Sequence, residues 1–507
     1  MKNYVSETFT KELLDGMNKE NIYLVGSECG SGKTTAIMTK LIPYAKEQNK
    51  KVLFLCNRKT LKKQLDHKYK WTTKYDEMIE KNLNLTLKMY QSINEIMEMN
   101  LVDEIIGMDF DYIVIDEAHL IYDASDYDFK AHRFIQFINE WTPKSTIIAL
   151  SGTPDSFLKL ENYFTRSIKQ IRYINKENNK IRRVLLTTDK KEFKETILNY
   201  LDNQYKTLSL VSYAEMLKIA KLSFANKDMA TLLSEAHEEV EKYMDDKDQY
   251  VLQKIIEEEE MICDVIVATK FLDVGVNIET HQNFLVAYYC NEMINTIEQF
   301  RSRLRFEENS SYHLDLLFKV MTKQSSTNKI KKIKMYLQRY DELYKAYGTF
   351  EEILKHNPKQ KFKVGFGAEP EDYEQYNQIT RQLKLDQLSF YEKLSNSDNL
   401  LETYKEVLQE MYPHVEIVTL QDLKVKKYLD NLMYGKEEIL FKNDEAKQKF
   451  REDMRELNIV TVHKKNLPSL TTICDGIKSL GYVLEDKRVY VGGETKYKRC
   501  WKLTKSC

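Results

Sequence analysis

The sequence predicts an α/β fold with two parallel-sheet domains, followed by a mainly helical region and a small C-terminal domain. Three observations carry this. Strand-length apolar runs alternate with amphipathic stretches as far as Ala287, the β pattern fades near residue 315, and a helix followed by a glycine-turned hairpin closes the chain. Continuous apolar strands separated by helices mean sheets covered on both faces, which is the parallel arrangement.

The first set of strands is Ile22–Val25, Val52–Leu55, Tyr112–Ile115 and Thr146–Leu150. The second is Val184–Leu186, Leu208–Val211, Val265–Ala268 and Phe284–Ala287, with the join near residues 165–182. The acidic stretch Glu235–Glu260 reads as a solvated helix face. Beyond residue 315, Tyr336, Tyr340 and Tyr344 recur at i, i+4 beside Lys329, Lys331, Lys332 and Lys334, a pattern of helix core in preference to a base-stacking platform. Residues 361–367 read as strand or loop, and helix resumes to about residue 460. The expected division is 1–168, 169–315, 316–440 and 441–507.

Composition removes several classes. With 507 residues, 42% hydrophobic, 31% charged, 15 Gly and 7 Pro, the chain has material for several cores and is not low-complexity. Lys+Arg number 77 and Asp+Glu 78, so no global basic field draws it to nucleic acid and any such binding is local. No window approaches the roughly 18 unbroken apolar residues of a membrane span, and the start has no signal-peptide core; a cytoplasmic protein is expected. The 7 Cys are scattered without a C-x-x-C pair, as reduced thiols are.

Directly after the first strand comes Gly26-Ser27-Glu28-Cys29-Gly30-Ser31-Gly32-Lys33-Thr34-Thr35, and then a helical pattern. Strand, glycine loop and helix in that order make an anion cradle. The loop from Ser27 through Gly30, Ser31 and Gly32 turns backbone N–H groups toward phosphate, the helix start at Thr34 and Thr35 adds its dipole, and Lys33 reaches the β/γ-phosphates of ATP. The Thr34 hydroxyl is a ligand for Mg2+. Asp116-Glu117-Ala118-His119 follows the third strand, so its carboxylates meet the loop at the same sheet edge. Asp116 there orients Mg2+ through water and Glu117 polarises the attacking water.

In this order the motifs resemble the superfamily 2 helicases and translocases of DEAH type, over residues 20–306. The resemblance implies two RecA-like domains with ATP between them. Asn57–Leu61, Tyr90–Ile93 and Ser151–Pro154 resemble the family's strand-contacting and linking motifs. Arg58, Thr60, Gln91, Ser92 and Thr153 are therefore expected against nucleic acid, together with Thr269 of the second domain. The segment 268–278 resembles the fifth motif and implies Gly275 and Asn277 near the cofactor, with Asn277 where Asp is usual. The sixth motif is similar to Gln299–Arg305, with Ser302 in place of Gly and the last Arg one position early. Gln299, Arg303 and Arg305 are the implied catalytic side chains here, Arg303 leading as the arginine finger.

At the C-terminus, the helix near 469–480 and the hairpin through Gly492-Gly493 resemble the winged helices that end some phage and plasmid replication proteins. Between residues 486 and 502 six bases oppose two acids, +4 in a chain of net −1. Lys487, Arg488, Lys496, Lys498 and Arg499 are the expected nucleic-acid grip; packing of the hairpin on the motor is the alternative. The function implied is an ATP-dependent DNA helicase or translocase of replication or repair in a low-GC bacterium or phage. Its partners are single-stranded or forked DNA and replication proteins. RNA as substrate, or ATP-gated remodelling without unwinding, remain open.

Overall fold

The structure, a computed structural model, describes residues 5–27, 31–56, 84–90, 92–93, 110–125, 131–173, 180–211, 227–233, 244–269, 277–289, 294–306, 310–356, 373–457, 467–490 and 497–506. A first sheet contains β1 (Asn21–Ser27), β2 (Val52–Cys56), β3 (Leu85–Met89), β4 (Tyr112–Ile115), β5 (Thr146–Ser151) and β6 (Ser167–Tyr173), in the order β3-β2-β4-β5-β1-β6. Every neighbouring pair is parallel. Alternate residues of the buried strands fill separate cores. Ile22, Leu24, Ile113, Ile115, Ile147 and Ala149 pack with Phe134 and Ile138 on one face. Val25, Phe54, Val114, Ile148 and Leu150 pack with Ile37 and Leu41 on the other. This is why those strands read as unbroken apolar runs.

The second sheet has β7 (Ile181–Thr187), β8 (Lys206–Leu210), β9 (Met229–Leu232), β10 (Val265–Ala268), β12 (Phe284–Tyr289), β14 (Leu314–Lys319) and β15 (Glu416–Thr419). Its order is β15-β7-β14-β12-β8-β10-β9, and it too is parallel throughout. Separately, β11 (Ile278–Thr280) pairs in parallel with β13 (Leu304–Phe306). The α/β class with two parallel sheets is thus as expected.

The structure adds strands where the β pattern was too weak to read. β6 fell in the expected join, but its partly exposed, alternating Ser-Ile-Lys-Gln-Ile-Arg-Tyr is the signature of an edge strand. Past residue 315 the chain does not stay helical. After the helices Lys323–Tyr347, Gln378–Asn396 and Leu400–Met411 it returns to the second sheet as β15. Tyr336 stacks on Tyr376, and Tyr340 stacks on Tyr344, so the tyrosine stripe is helix core. Residues 361–367 lie outside the described residues, as does the first part of the acidic stretch; its remainder includes the helix Asp246–Glu258.

The C-terminal part has its own core. Helices Leu420–Met433, Asp444–Glu456 and Leu470–Lys478 pack Leu429, Phe450, Met454, Ile473 and Ile477 against an antiparallel sheet. That sheet is β16 (Glu438–Phe441), β17 (Tyr482–Tyr490) and β18 (Tyr497–Lys505), in the order β16-β18-β17. The helix-then-hairpin expectation is met, and a third strand joins it from before the helix.

One buried charge ties together two interior strands of the second sheet, β7 and β14. Asp315 is fully buried on β14, accepting from Arg182 Nε at 3.0 Å and Arg183 Nε at 3.1 Å, and from the Tyr200 hydroxyl. Burial alone raises its pKa, but these donors outweigh that and hold it below the usual value. Its contribution to stability is therefore full above the unfolded value of about 3.9 and is lost as pH falls through the lower folded value. Asp315→Ala is expected to cost about 2–3 kcal/mol, less than the full range for a buried pair because both arginines are partly exposed. The urea midpoint at pH 7 measures this, and the gap between variant and wild type should narrow in acid.

Candidate functional site

The carboxyl ends of β1, β5 and β4 lie side by side, which brings three sequence-distant segments together. Gly26 is in register with Ser151. A Cβ on Gly26 would meet the Pro154 ring at 3.0 Å, so only glycine lets the two segments pack this closely. Gly32 has φ 83°, a left-handed conformation that glycine adopts without strain, and it starts the helical run Lys33–Glu47. Lys33 is buried, and its Nζ donates to the Ser27 carbonyl at 2.7 Å. The Ser27 and Ser31 hydroxyls are buried with no hydrogen-bond partner. Thr34 is half-buried and Thr35 exposed.

Asp116 follows β4 and is buried; Glu117 beside it takes φ 50°, an unusual backbone for a non-glycine residue. Burial first, and then the Glu117 charge, push the Asp116 pKa up. Glu117 has the opposite shift. Burial would raise it, but the Arg303 charge first, with His119 and Lys33 beside it, holds it well below the carboxylate range. Two adjacent carboxylates with pKa values driven apart are suited to different duties. The Tyr90 hydroxyl donates to the Asp116 carbonyl and braces this turn from within the core.

The second domain supplies the opposite wall. Arg303, only 5% exposed, places Nη2 3.1 Å from Glu117 Oε1. Arg305 is directed elsewhere: its Nε and Nη2 donate to Asn277 Oδ1 at 3.2 and 3.0 Å, beside the β11–β13 pair. Asn277, expected near the cofactor, is the residue that accepts both of these bonds. Gln299 reaches across the cleft, its Nε2 3.5 Å from Thr153 Oγ1.

A polar chain links these walls. His119 shares a hydrogen bond of 3.1 Å with the Ser151 hydroxyl, and its Nδ1 is 3.6 Å from Glu117 Oε2. The same Ser151 oxygen accepts from the Thr153 N–H at 3.1 Å, and Thr153 meets Gln299. Burial lowers the His119 pKa, so its ring is neutral at pH 7. His119 and Ser151 stand within the quoted motifs, but sequence reading gave neither a role.

Other expected contacts are less complete. Ser92 is half-buried, and the Thr269 N–H donates to the Leu232 carbonyl at 3.3 Å. Gly30, Arg58, Thr60, Gln91, Gly275 and Lys496 lie outside the described residues, as does the Lys498 side chain. On the C-terminal hairpin Lys487 pairs with Glu485 at 2.6 Å and Arg499 with Asp486 at 2.9 Å. Lys502 pairs with Glu438, while Arg488 is exposed. The local positive charge expected there is thus partly balanced by Asp486, already counted in the 486–502 window, and by Glu485 and Glu438 outside it.

Fold and site together make a cleft between two parallel-sheet domains, with the Lys33 loop and paired carboxylates on one wall and an arginine on the other. Residues 2–156 match the family model described as the res subunit of type III restriction enzymes. No curated protein matches the chain. Among solved structures it is similar to the Mycobacterium smegmatis helicase Lhr bound to ssDNA and AMP-PNP, at 12% identity and TM-score 0.45 over 63% of this chain and 46% of that one. It is also similar to the DUF1998 helicase MrfA bound to DNA, at 14% and 0.44 over 66% and 50%. S. cerevisiae Dbp5 bound to RNA and ADP BeF3 matches at 13% and 0.43 over 59% and 78%. The chain spans about half the length of the first two.

Proposed function

We propose that the chain is an ATP-dependent nucleic-acid motor, a DEAH-type helicase or translocase working on single-stranded or forked DNA. The observation that supports this most is the reach of Arg303 from the second domain to Glu117 on the wall that holds Lys33. The residues fit a nucleotide. The buried, unpartnered Ser27 and Ser31 hydroxyls face hydrogen-bonding needs that a phosphate would meet. Lys33 and Gly32 would hold the phosphates, and Thr34 and Asp116 a magnesium ion, which needs only one or two protein ligands and would relieve the crowded carboxylates. Bound there, Mg2+–ATP supplies a phosphoryl group whose transfer to water releases free energy.

The chain's own residues do the rest. Glu117, ionised at neutral pH, accepts a proton from water at its carboxylate. Arg303 neutralises charge only when the cleft is shut, so turnover reports closure. His119, Ser151, Thr153 and Gln299 carry that closure from the carboxylates to the face where strand contacts are expected. Domain limits near 168, 315 and 440 remain our working division. Residues 441–507 are read as a winged-helix-like domain that adds a sequence-tolerant grip, with replication or repair as its setting.

ATPase rates with single-stranded DNA, duplex DNA, forked DNA and RNA as competing activators test the reading. Forked or single-stranded DNA should stimulate most. Stimulation by RNA alone would make the chain an RNA helicase, and absence of any nucleic-acid effect would remove the motor. Charge reversal at Arg488 and Arg499 should weaken duplex binding at physiological salt; unchanged affinity would reject the winged-helix grip.

A further inference from the structure

The helix Gln378–Asn396 is rooted at its two ends in different cores. Ile379 and Leu383 belong to the core of the first sheet, and Tyr391 and Leu394 to that of the second. At 1.5 Å per residue its 19 residues run for about 28 Å, long enough to bridge two domains. Its contacts with the first domain fall on a chosen place. The Asp386 carboxylate accepts from the Tyr122 hydroxyl at 2.7 Å and pairs with Lys159. Thr380 Oγ1 donates to the Ser125 carbonyl at 2.8 Å.

Tyr122 and Ser125 come three and six residues after His119. Lys159 follows the helix Pro154–Leu158 that continues Ser151 and Thr153. Ser156 of that short helix donates to Asp123 at 2.9 Å, so the two segments are already tied to each other. The long helix therefore grips, from behind, the continuations of both segments that build the cleft wall. Its other end is fixed in the core that also holds Ile297 and Phe300, on the helix that presents Gln299.

We propose that the Gln378–Asn396 helix is a strap across the two domains and that Asp386 is a positioning residue, keeping Arg303 within reach of Glu117 before ligand binds. The proposal rests on the nucleotide-hydrolysis reading above. A contact that favours the closed arrangement raises its population in the free protein. Losing that contact weakens apparent ligand affinity by the same factor, while saturating ligand restores closure.

In the full chain, Asp386→Ala should raise KM for ATP about five- to tenfold and leave kcat within about twofold. Lys159→Ala, at a half-exposed position, should shift KM the same way by a smaller factor, and Asp386→Asn should fall between wild type and Asp386→Ala. Hydrogen exchange gives a readout apart from turnover: the 378–396 peptide should lose protection in the free Asp386→Ala chain and regain it with AMP-PNP. Unchanged KM and exchange in both alanine variants would overturn the strap, as would a fall in kcat at constant KM. If wild type shows no nucleotide turnover, the function proposed above fails, while exchange in the free chains still decides whether the helix is a strap.

Discussion

Lys33→Ala is expected to lower nucleotide turnover by at least about 10³-fold, because on the function proposed it removes the cation that meets the transferred phosphates. The side chain is buried and bonded to the Ser27 carbonyl, so it is held at the loop in advance. Glu117→Gln keeps the shape but removes the proton acceptor; nucleotide binding should persist and hydrolysis fall to a comparable degree. Glu117 is suited to this test because three positive or dipolar neighbours, Arg303 foremost, keep it ionised against its burial. Steady-state ATPase with a parallel binding assay of both purified variants checks the pair. Substantial turnover by both would dismantle the assigned site.

Arg303→Ala should cost on the order of 10³-fold in turnover with little loss of ATP affinity, since its charge matters most when the transition state forms. Arg305→Ala is the paired control. Arg305 spends both its Nε and Nη2 on Asn277, so its loss should act through the β11–β13 pair and cost far less. A larger effect at Arg305 would mean that the arginine that completes the site is the one tied to Asn277. Measuring kcat and nucleotide affinity separately for each variant distinguishes a transition-state contact from a structural one.

The order of motifs made much of this site legible. A glycine loop after a buried strand, and a pair of carboxylates after another, bring residues to one edge of a parallel sheet whatever the intervening loops do. Arg303 was expected on another ground, the resemblance of Gln299–Arg305 to the family's sixth motif. The roles of His119 and Ser151 were not, since a histidine and a serine 32 residues apart become partners only when β4 and β5 pair. Nor was the tie between Asn277 and Arg305, which depends on two short strands that have no strong pattern of their own.

By itself, the sequence determined the two parallel sheets and the helix-and-hairpin ending. Apolar runs and turn residues act locally, and period and spacing record them directly. Only the tertiary structure decided which strands stand at the edges, which arginine faces Glu117, and how the bases of the hairpin are balanced. It alone shows that β15 returns to the second sheet and that one helix spans both cores. These depend on contacts between segments up to 264 residues apart, as Tyr122 and Asp386 are, and no local pattern encodes which distant surface a helix face will meet.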